Sequence, residues 1–541
     1  MFAAAYRWID RNILELGREL RLSYLPPLMV YMAAGVSGLT GIVGTFFVKD
    51  YLGLSAAFLA ALGFWAGIPW ALKMPLGHLV DLVWRYKSWL VYLGAGLIAV
   101  SLLIMVALIG EREAMTAIMP AGAWYVLSVL LAPVGYVIQD AVADAMTVEA
   151  VPRVDDAGRP FDPATRRLMH TTMQTLGRVA IIGGSVLVAL INLYLFTGVH
   201  GLPEAEIARI YRNVYLMALV IPVISVLGVM SAALLKARDR RRWRRQGLRP
   251  EQIAERLYER VEPTRPNWWI LGGSLLFVVF TLSVGLNGVP YSEEIVFGGS
   301  LAIVAFLIVR LTRELEPEAR NTLVGTALVI FVFRAIPGPG PGVTWWMIDE
   351  LKFDQHFLSV LSLIGSALTL FGMFLFRRFM AERSIVYVVG FLTLAGFLLA
   401  LPIVGMVYGL HEWTAARTGG VVDAHFIALI DTALESPLGQ ISMIPMLAWI
   451  ANSAPAHLKA TYFAIMASFT NLALSLSQLG TKYLNQVYVI EREVRDRASG
   501  ALQVPADYSR LDELLVVQVL LGLALPFAAI VFVKLTRFRS A

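Results

Sequence analysis

Long apolar segments, separated by short clusters of charge, run through almost the whole 541-residue chain. Runs such as Ser88–Gly110 and Val214–Leu235 carry no charge and have the length of about 20 residues that a helix needs to cross a bilayer. Only 16% of the residues are charged, against about 25% in soluble domains. The sequence thus predicts an all-α polytopic membrane protein and excludes a soluble enzyme. It contains no cysteine, which excludes thiol catalysis and cysteine-ligated metals.

The apolar runs predict about fourteen transmembrane helices. They are Tyr24–Val48, Leu54–Gly77, Ser88–Gly110, Ala117–Gln139, Val179–Val199, Val214–Leu235, Trp268–Gly288, Ile295–Val309, Thr322–Pro337, Phe357–Phe376, Ile385–Gly409, His425–Asn452, Thr461–Gly480 and Leu514–Leu535. Lys and Arg concentrate in cytoplasmic loops, and most of the 45 in this chain fall on one side if both termini are cytoplasmic. We therefore attribute the net charge of +6 to topology in a bacterial-type inner membrane, and we expect no nucleic-acid partner.

A basic block near the middle divides the chain. We predict a cytoplasmic amphipathic segment (1–23), a six-helix bundle (24–236), a basic linker that meets anionic lipid headgroups (237–266), an inserted transmembrane hairpin (267–310) and a second six-helix bundle (311–541). Two related six-helix halves are the plan of major facilitator transporters. The predicted fold class is therefore a major facilitator fold with an added hairpin.

The first group of charges lies at the inner end of the second span. Lys73, Gly77 and Asp81 are four residues apart and share one helical face, with Arg85 a further turn on. We interpret Gly77 as a point of close helix approach, and Asp81 with Arg85 as a cytoplasmic gate that holds helices together in one conformation. The alternative is that these residues only anchor the topology.

Two acids one turn apart, Asp140 and Asp144, lie near the inner end of the fourth span. Such neighbours repel unless one is protonated or a cation separates them, and Lys73 or Arg178 is the candidate cation. Two interpretations stay open at this point: a proton-coupling pair, whose proton affinity changes with conformation, or a permanent salt bridge.

Charged residues at mid-membrane depth are costly and usually functional. Counted without the inserted hairpin, Arg178 lies in the fifth span and Arg334 in the seventh, Thr322–Pro337. They lie one in each half and suit an anionic substrate. Asp431 and Glu435 lie one turn apart in the span His425–Asn452, the tenth without the hairpin. A carboxylate there can accept paired hydrogen bonds from an amino-pyrimidinone edge. Pairing among these charges for structure alone is the competing interpretation, and Asp431 could instead be solvated near the outer surface.

Aromatic residues give weaker signals. Trp65 could stack on a flat ligand or serve packing, and Trp345 with Trp346 is expected in the belt of aromatics at the membrane surface. The sequence has no phosphate-binding glycine loop and no nucleophile–base arrangement. We therefore predict no cofactor, no ATP-driven pump and no enzyme.

Four segments together resemble the folate–biopterin transporter family of the major facilitator superfamily. They are IPWALKMPLGHLVD (Ile68–Asp81), QDAVADAMTVEAV (Gln139–Val151), LVIFVFRAIPGPGPGVTWWMIDELKF (Leu328–Phe353) and the block that runs from Asp431 to Leu472. Met74 between Lys73 and Pro75, the hairpin 267–310 and the outer loop 482–512 depart from the family pattern.

The resemblance implies proton-linked transport of folates or pterins by alternating access, in a monomer embedded in lipid. On this reading Glu435 binds the pterin edge, while Arg178, Arg334 and Lys73 bind folate carboxylates, with Asp431 beside them. Two alternatives remain. One is a permease for muropeptides or another amphiphilic anion, and the other is a non-transporting scaffold that assists assembly of a pigment–protein complex.

Overall fold

The chain folds into long helices joined by short connections. The computed structural model describes residues 15–52, 54–71, 73–152, 155, 159, 161–199, 202–256, 266, 268–287, 289–314, 316–376, 379, 383–439, 441, 459–495, 502–536 and 538. The α-helices are α1 Glu15–Arg18, α2 Leu25–Val36, α3 Gly41–Phe47, α4 Ala56–Ala71, α5 Lys73–Leu82, α6 Ser88–Gly110, α7 Arg112–Ile118, α8 Ala121–Ala150, α9 Pro163–Leu195, α10 Glu204–Ala218, α11 Val220–Arg245, α12 Pro250–Arg256, α13 Trp268–Leu286, α14 Ser292–Leu311, α15 Pro317–Arg334, α16 Gly342–Asp349, α17 Gln355–Leu375, α18 Ile385–Val407, α19 Leu410–Arg417, α20 Ala424–Glu435, α21 Lys459–Val487 and α22 Leu511–Leu535. Two strands, β1 Val494–Arg495 and β2 Leu502–Val504, form a small antiparallel hairpin in the predicted outer loop.

Ten helical segments in the described part of the chain are long and apolar enough to cross a membrane, and a shorter apolar helix spans Leu271–Gly285. The predicted all-helical membrane architecture is confirmed, whereas the number fourteen stays a prediction. Apolar side chains such as Leu93, Val223, Leu398 and Val531 point outward from these helices and are exposed. Lipid is the environment that such surfaces require.

The predicted span Thr322–Pro337 is interrupted by a break in the helix. α15 ends at Arg334, and the Pro-rich segment 335–341 leads into α16. Backbone groups of this segment bond to side chains of neighbouring helices: Ser477 Oγ donates to the Ile336 carbonyl at 2.6 Å, and Asn485 Nδ2 donates to the Pro339 carbonyl at 3.2 Å. Proline cannot continue the helical hydrogen bonds, so these side chains replace them.

The tryptophan pair in α16 does not lie in an aromatic belt. Trp345 is 2% exposed and Trp346 is 7% exposed, and both pack inside the protein. The prediction for this pair was therefore wrong, because the broken helix continues beyond the proline segment and carries both rings inward.

Helices α4 and α21, one from each predicted half, pack closely and antiparallel. A Cβ built at Gly63 would lie 2.7 Å from Gln478 Oε1, and one built at Gly67 would lie 3.3 Å from Ser475 Oγ. The spacing of these glycines is the small-xxx-small pattern that lets membrane helices approach. We expected close approach at Gly77, but a Cβ there meets no described atom within 4 Å. In this conformation, that prediction was wrong.

The two predicted halves also meet at the end that carries residues 48–52, 342–355, 488–495 and 502–510. We call this the outer end, after the predicted topology. Lys49 Nζ lies 2.5 Å from Asp349 Oδ1, and the Tyr508 hydroxyl donates to Asp349 Oδ2 at 2.5 Å. Burial and this hydrogen bond raise the pKa of Tyr508, so the phenol stays protonated and keeps donating. Buried Arg492 donates to the carbonyl of Val48.

Of the predicted divisions, the amphipathic segment 1–23 is described only from residue 15 onward. Helix α11 runs to Arg245, well into the predicted basic linker, and α12 follows it. The hairpin 267–310 forms two helices, α13 and α14. The boundaries themselves stay predictions.

Candidate functional site

The strongest cluster of charge joins α5 to α8. The Lys73 ammonium lies 2.6 Å from Asp140 Oδ2 and 2.8 Å from Asp144 Oδ2, so one cation bridges both acids. The one-turn spacing of the acids places both on the face that meets Lys73. Of the two candidate cations predicted from the sequence, Lys73 is the one that contacts the pair directly.

A residue that the sequence did not single out completes this cluster. Tyr31 of α2 is buried, and its hydroxyl donates to Asp144 Oδ1 at 2.7 Å. Three helices therefore meet at one group of polar side chains. A tyrosine within an otherwise apolar span was the available signal, because its hydroxyl needs a partner once it is buried.

Arg178 and Arg334 are both half-buried, on α9 and at the end of α15. The charge of Arg178 acts on Asp140 and also on Arg334, so the two guanidinium groups lie near each other. Arg334 Nε donates to the carbonyl of Thr470 at 3.2 Å. Within the described part of the chain, the Arg178 guanidinium forms no hydrogen bond and no ion pair. The two predicted halves thus contribute neighbouring cations.

Asp431 and Glu435 face different surroundings although they are one turn apart on α20. Asp431 is 8% exposed, and its Oδ1 atom has no hydrogen-bond partner among the described residues. Glu435, at the last position of α20, is exposed. The interpretation of Asp431 as a surface-solvated acid was wrong, because the side chain is buried.

The predicted cytoplasmic gate is described only in part. Gly77 lies in α5, and the backbone of Asp81 follows it in the same helix, but the side chains of Asp81 and Arg85 lie outside the described residues. In the described part of the chain, no group of three or more His, Asp or Glu side chains is arranged to hold a metal ion.

Trp65 does not reach toward these charges. Its indole Nε1 donates to Glu293 Oε1 of the hairpin at 3.2 Å, and its ring packs against Gly285. This supports the packing interpretation of Trp65. The contact of an aromatic in one half with the inserted hairpin was not predicted, because spacing along a helix says nothing about partners far away in the chain.

Comparisons with known proteins agree with this architecture. Residues 311–537 match the model of the BT1 family. A "Folate-biopterin transporter" of Synechocystis sp. (strain ATCC 27184 / PCC 6803 / Kazusa) is 22% identical over 481 residues, which cover 88% of this chain and 77% of that protein.

Solved structures show the same fold at low sequence identity. A POT family transporter in complex with a thioalcohol-conjugated peptide is 9% identical with a TM-score of 0.59, over 95% of this chain and 96% of that one. A mutant of the nucleoside transporter NupG is 12% identical with a TM-score of 0.54, over 94% and 99%. The predicted major facilitator fold is confirmed, and the resemblance to the folate–biopterin transporter family is supported by the family match over residues 311–537 and by the similarity to the Synechocystis protein.

Proposed function

We propose that this transporter moves a folate, a pterin or a similar organic anion across the inner membrane by proton-linked alternating access. The observation that carries the proposal is that each predicted half places one half-buried arginine, Arg178 or Arg334, in its membrane helices, and that the two charges act on each other. Two like charges at mid-membrane depth repel each other, so an anion bound between them relieves a cost that the empty site bears. An anion that contacts both halves also bridges the surfaces that move in alternating access.

The carboxylates on α20 are proposed to bind a second kind of group, and among the described residues no hydrogen bond or ion pair joins them to Arg178 or Arg334. Glu435 offers two acceptor oxygens to an amino-pyrimidinone edge, which pterins and folates carry. Asp431, one turn away, adds a buried oxygen without a partner in the described part of the chain. A ligand with anionic groups at one end and paired N–H donors at the other has a group for the arginines and a group for the acids. Lys73 contributes a further cation to the anion site when Asp140 and Asp144 no longer contact its ammonium group.

The cluster of Lys73, Asp140 and Asp144 supports coupling to protons. With all three groups ionised, the cluster carries a net charge of −1, which one proton would neutralise. The positive charge of Arg178 attracts the Asp140 carboxylate, less strongly than Lys73 does from 2.6 Å. An anion that binds Arg178 weakens this effect and favours protonation of Asp140. Substrate and proton binding are thereby linked through a single arginine.

Several features of the arrangement in the cell belong to the same proposal. Both termini face the cytoplasm, the protein acts as a monomer, and two six-helix bundles (24–236 and 311–541) rock about the central site. Gly77, Asp81 and Arg85 form the cytoplasmic gate. Support comes from the asymmetry of Lys and Arg along the sequence and from the family's plan.

Uptake into proteoliposomes tests the proposal directly. Labelled folate, pterin and muropeptide are offered with and without an imposed proton gradient, to the parent protein, to an Arg178→Gln/Arg334→Gln variant and to an Arg313→Gln control with an exposed arginine. We expect gradient-stimulated uptake of folate or pterin that the double variant loses and the control keeps. Uptake of muropeptide alone would refute the substrate class. Uptake of none by correctly folded protein would favour the scaffold function.

A further inference from the structure

The inserted hairpin α13–α14 lies over the seam between α4 and α21. Phe277 of α13 and Val296 of α14 are buried in one apolar cluster with Phe64 of α4 and Leu472 of α21. The hairpin therefore contacts both predicted halves where Gly63 and Gly67 allow these halves to pack most closely. An insertion that served only as a membrane anchor would not need to touch both sides of this seam.

Polar contacts at the start of α14 tie the two sides together. Glu293 accepts a hydrogen bond from the Trp65 indole of α4 at 3.2 Å, and its other carboxylate oxygen lies 3.4 Å from Lys482 Nζ of α21. Glu294 lies 3.2 Å from the same ammonium and accepts a hydrogen bond from the Tyr483 hydroxyl. Little solvent reaches Glu293 and Lys482, so screening of their attraction is weak.

We propose that this hairpin is a strap that holds the outer parts of α4 and α21 together and so favours the conformation that is closed at the outer end. Separation of the two helices at this end must break either the Trp65 contact or the Lys482 contact, because Glu293 holds both. The inference rests on the proposed function in one respect only, the exchange between two conformations that alternating access requires.

Distances between spin labels measure the effect without any substrate. The chain has no native cysteine, so cysteines placed at Ile118 and Val421, which are 76% and 66% exposed, can be labelled directly. These positions lie near the predicted outer ends of opposite halves. A pair at Ile118 and Tyr194, within one half, reports whether the bundle itself stays intact.

Trp65→Phe removes the indole donor and keeps an aromatic ring, while Lys482→Met removes the ammonium from the other side. We expect either change to raise the ratio of long to short Ile118–Val421 distances about tenfold, the effect of losing one hydrogen bond to a charged group. The Ile118–Tyr194 distance should not change. Trp89→Phe, at an exposed tryptophan on α6, is the matched control and should leave both distances unchanged.

Unchanged Ile118–Val421 distances in both strap variants would overturn the proposal, as would an equal change in the Trp89→Phe control. The result does not depend on which substrate the protein carries. If no folate or pterin is transported but the strap variants still lengthen the distance, the proposed substrate fails and the strap stands. If folate or pterin is taken up while the distances stay unchanged, the proposed substrate stands and the strap proposal fails.

Discussion

The two groups of half-buried charge, Lys73 with Asp140 and Asp144 and the pair Arg178 and Arg334, differ in how completely their atoms are paired. In the cluster of Lys73, Asp140 and Asp144, a single ammonium lies within 2.8 Å of an oxygen of each acid, and Tyr31 adds a hydrogen bond. In the second group, the Arg178 guanidinium forms no hydrogen bond and no ion pair with any described residue. The difference teaches that mid-membrane charge alone does not define a binding site. A group with unmet bonding capacity has something to offer a ligand, whereas a paired one must first be released.

The largest effect should follow from breaking the paired cluster. Lys73→Met leaves two acids close together without their cation, and removal of one partner from a buried pair costs about 3–5 kcal/mol. We expect a clear fall in the free energy of unfolding in detergent, partly restored by Asp140→Asn in the same chain. Lys534→Met, at an exposed lysine, is the control. If Lys73→Met unfolds like the parent, the cluster does not stabilise the fold.

Arg178 should behave in the opposite way. Arg178→Gln should raise KM for the anion about tenfold to a hundredfold, which is the loss expected for one charge-assisted contact. Its free energy of unfolding should change little compared with Lys73→Met. Uptake kinetics and thermal unfolding of the same preparations separate the two effects. An Arg178→Gln protein that is destabilised while its KM stays unchanged would assign this arginine a structural role only.

Asp431 gives a smaller but more discriminating result. Its buried Oδ1 has no partner in the described part of the chain, so Asp431→Asn removes a charge that the fold does not satisfy. We expect the free energy of unfolding to stay the same or to rise by about 1 kcal/mol, while uptake falls. Glu412→Gln, at an exposed acid, should change neither quantity. Marked destabilisation by Asp431→Asn would mean that the carboxylate holds a structural bond.

The smallest expected change in the free energy of unfolding comes from Tyr31, which donates one hydrogen bond to the paired cluster. Tyr31→Phe deletes only the hydroxyl that donates to Asp144, and one hydrogen bond contributes about 1 kcal/mol to stability. The expected loss is therefore well below that of Lys73→Met, and thermal unfolding of both variants gives the ranking. Tyr194→Phe, at an exposed tyrosine, controls for the loss of any phenol. A Tyr31→Phe loss as large as that of Lys73→Met would contradict the ranking.

Local patterns predicted the parts of this molecule that depend on local geometry. One-turn spacing correctly placed Asp140 and Asp144 on one face, and apolar run lengths identified the membrane helices. Close packing at Gly77 was predicted on the same reasoning and was wrong. Gly63 and Gly67 carry the small-xxx-small pattern that the structure uses instead. A glycine permits close approach, but the facing helix decides whether it occurs.

Contacts between distant parts of the chain could not be read from the sequence. The contact of Lys49 with Asp349 and that of Trp65 with Glu293 each join residues more than two hundred positions apart. Helix ends were also misjudged where the backbone departs from regular geometry. The proline segment after Arg334 appeared to end a span, although a further buried helix with Trp345 follows it.

The break between α15 and α16 interrupts the backbone hydrogen bonds that would make one transmembrane segment a single rigid helix. Its Ile336 and Pro339 carbonyls are held by side chains of α21, and exchange of such a bond for one to water costs only about 0.5–1.5 kcal/mol. Bending an intact helix would break several backbone bonds at once. The angle between α15 and α16 is therefore set by side-chain contacts and not by a continuous run of backbone hydrogen bonds. A neutral substitution at Ser477 or Asn485 can change that angle without altering any charge.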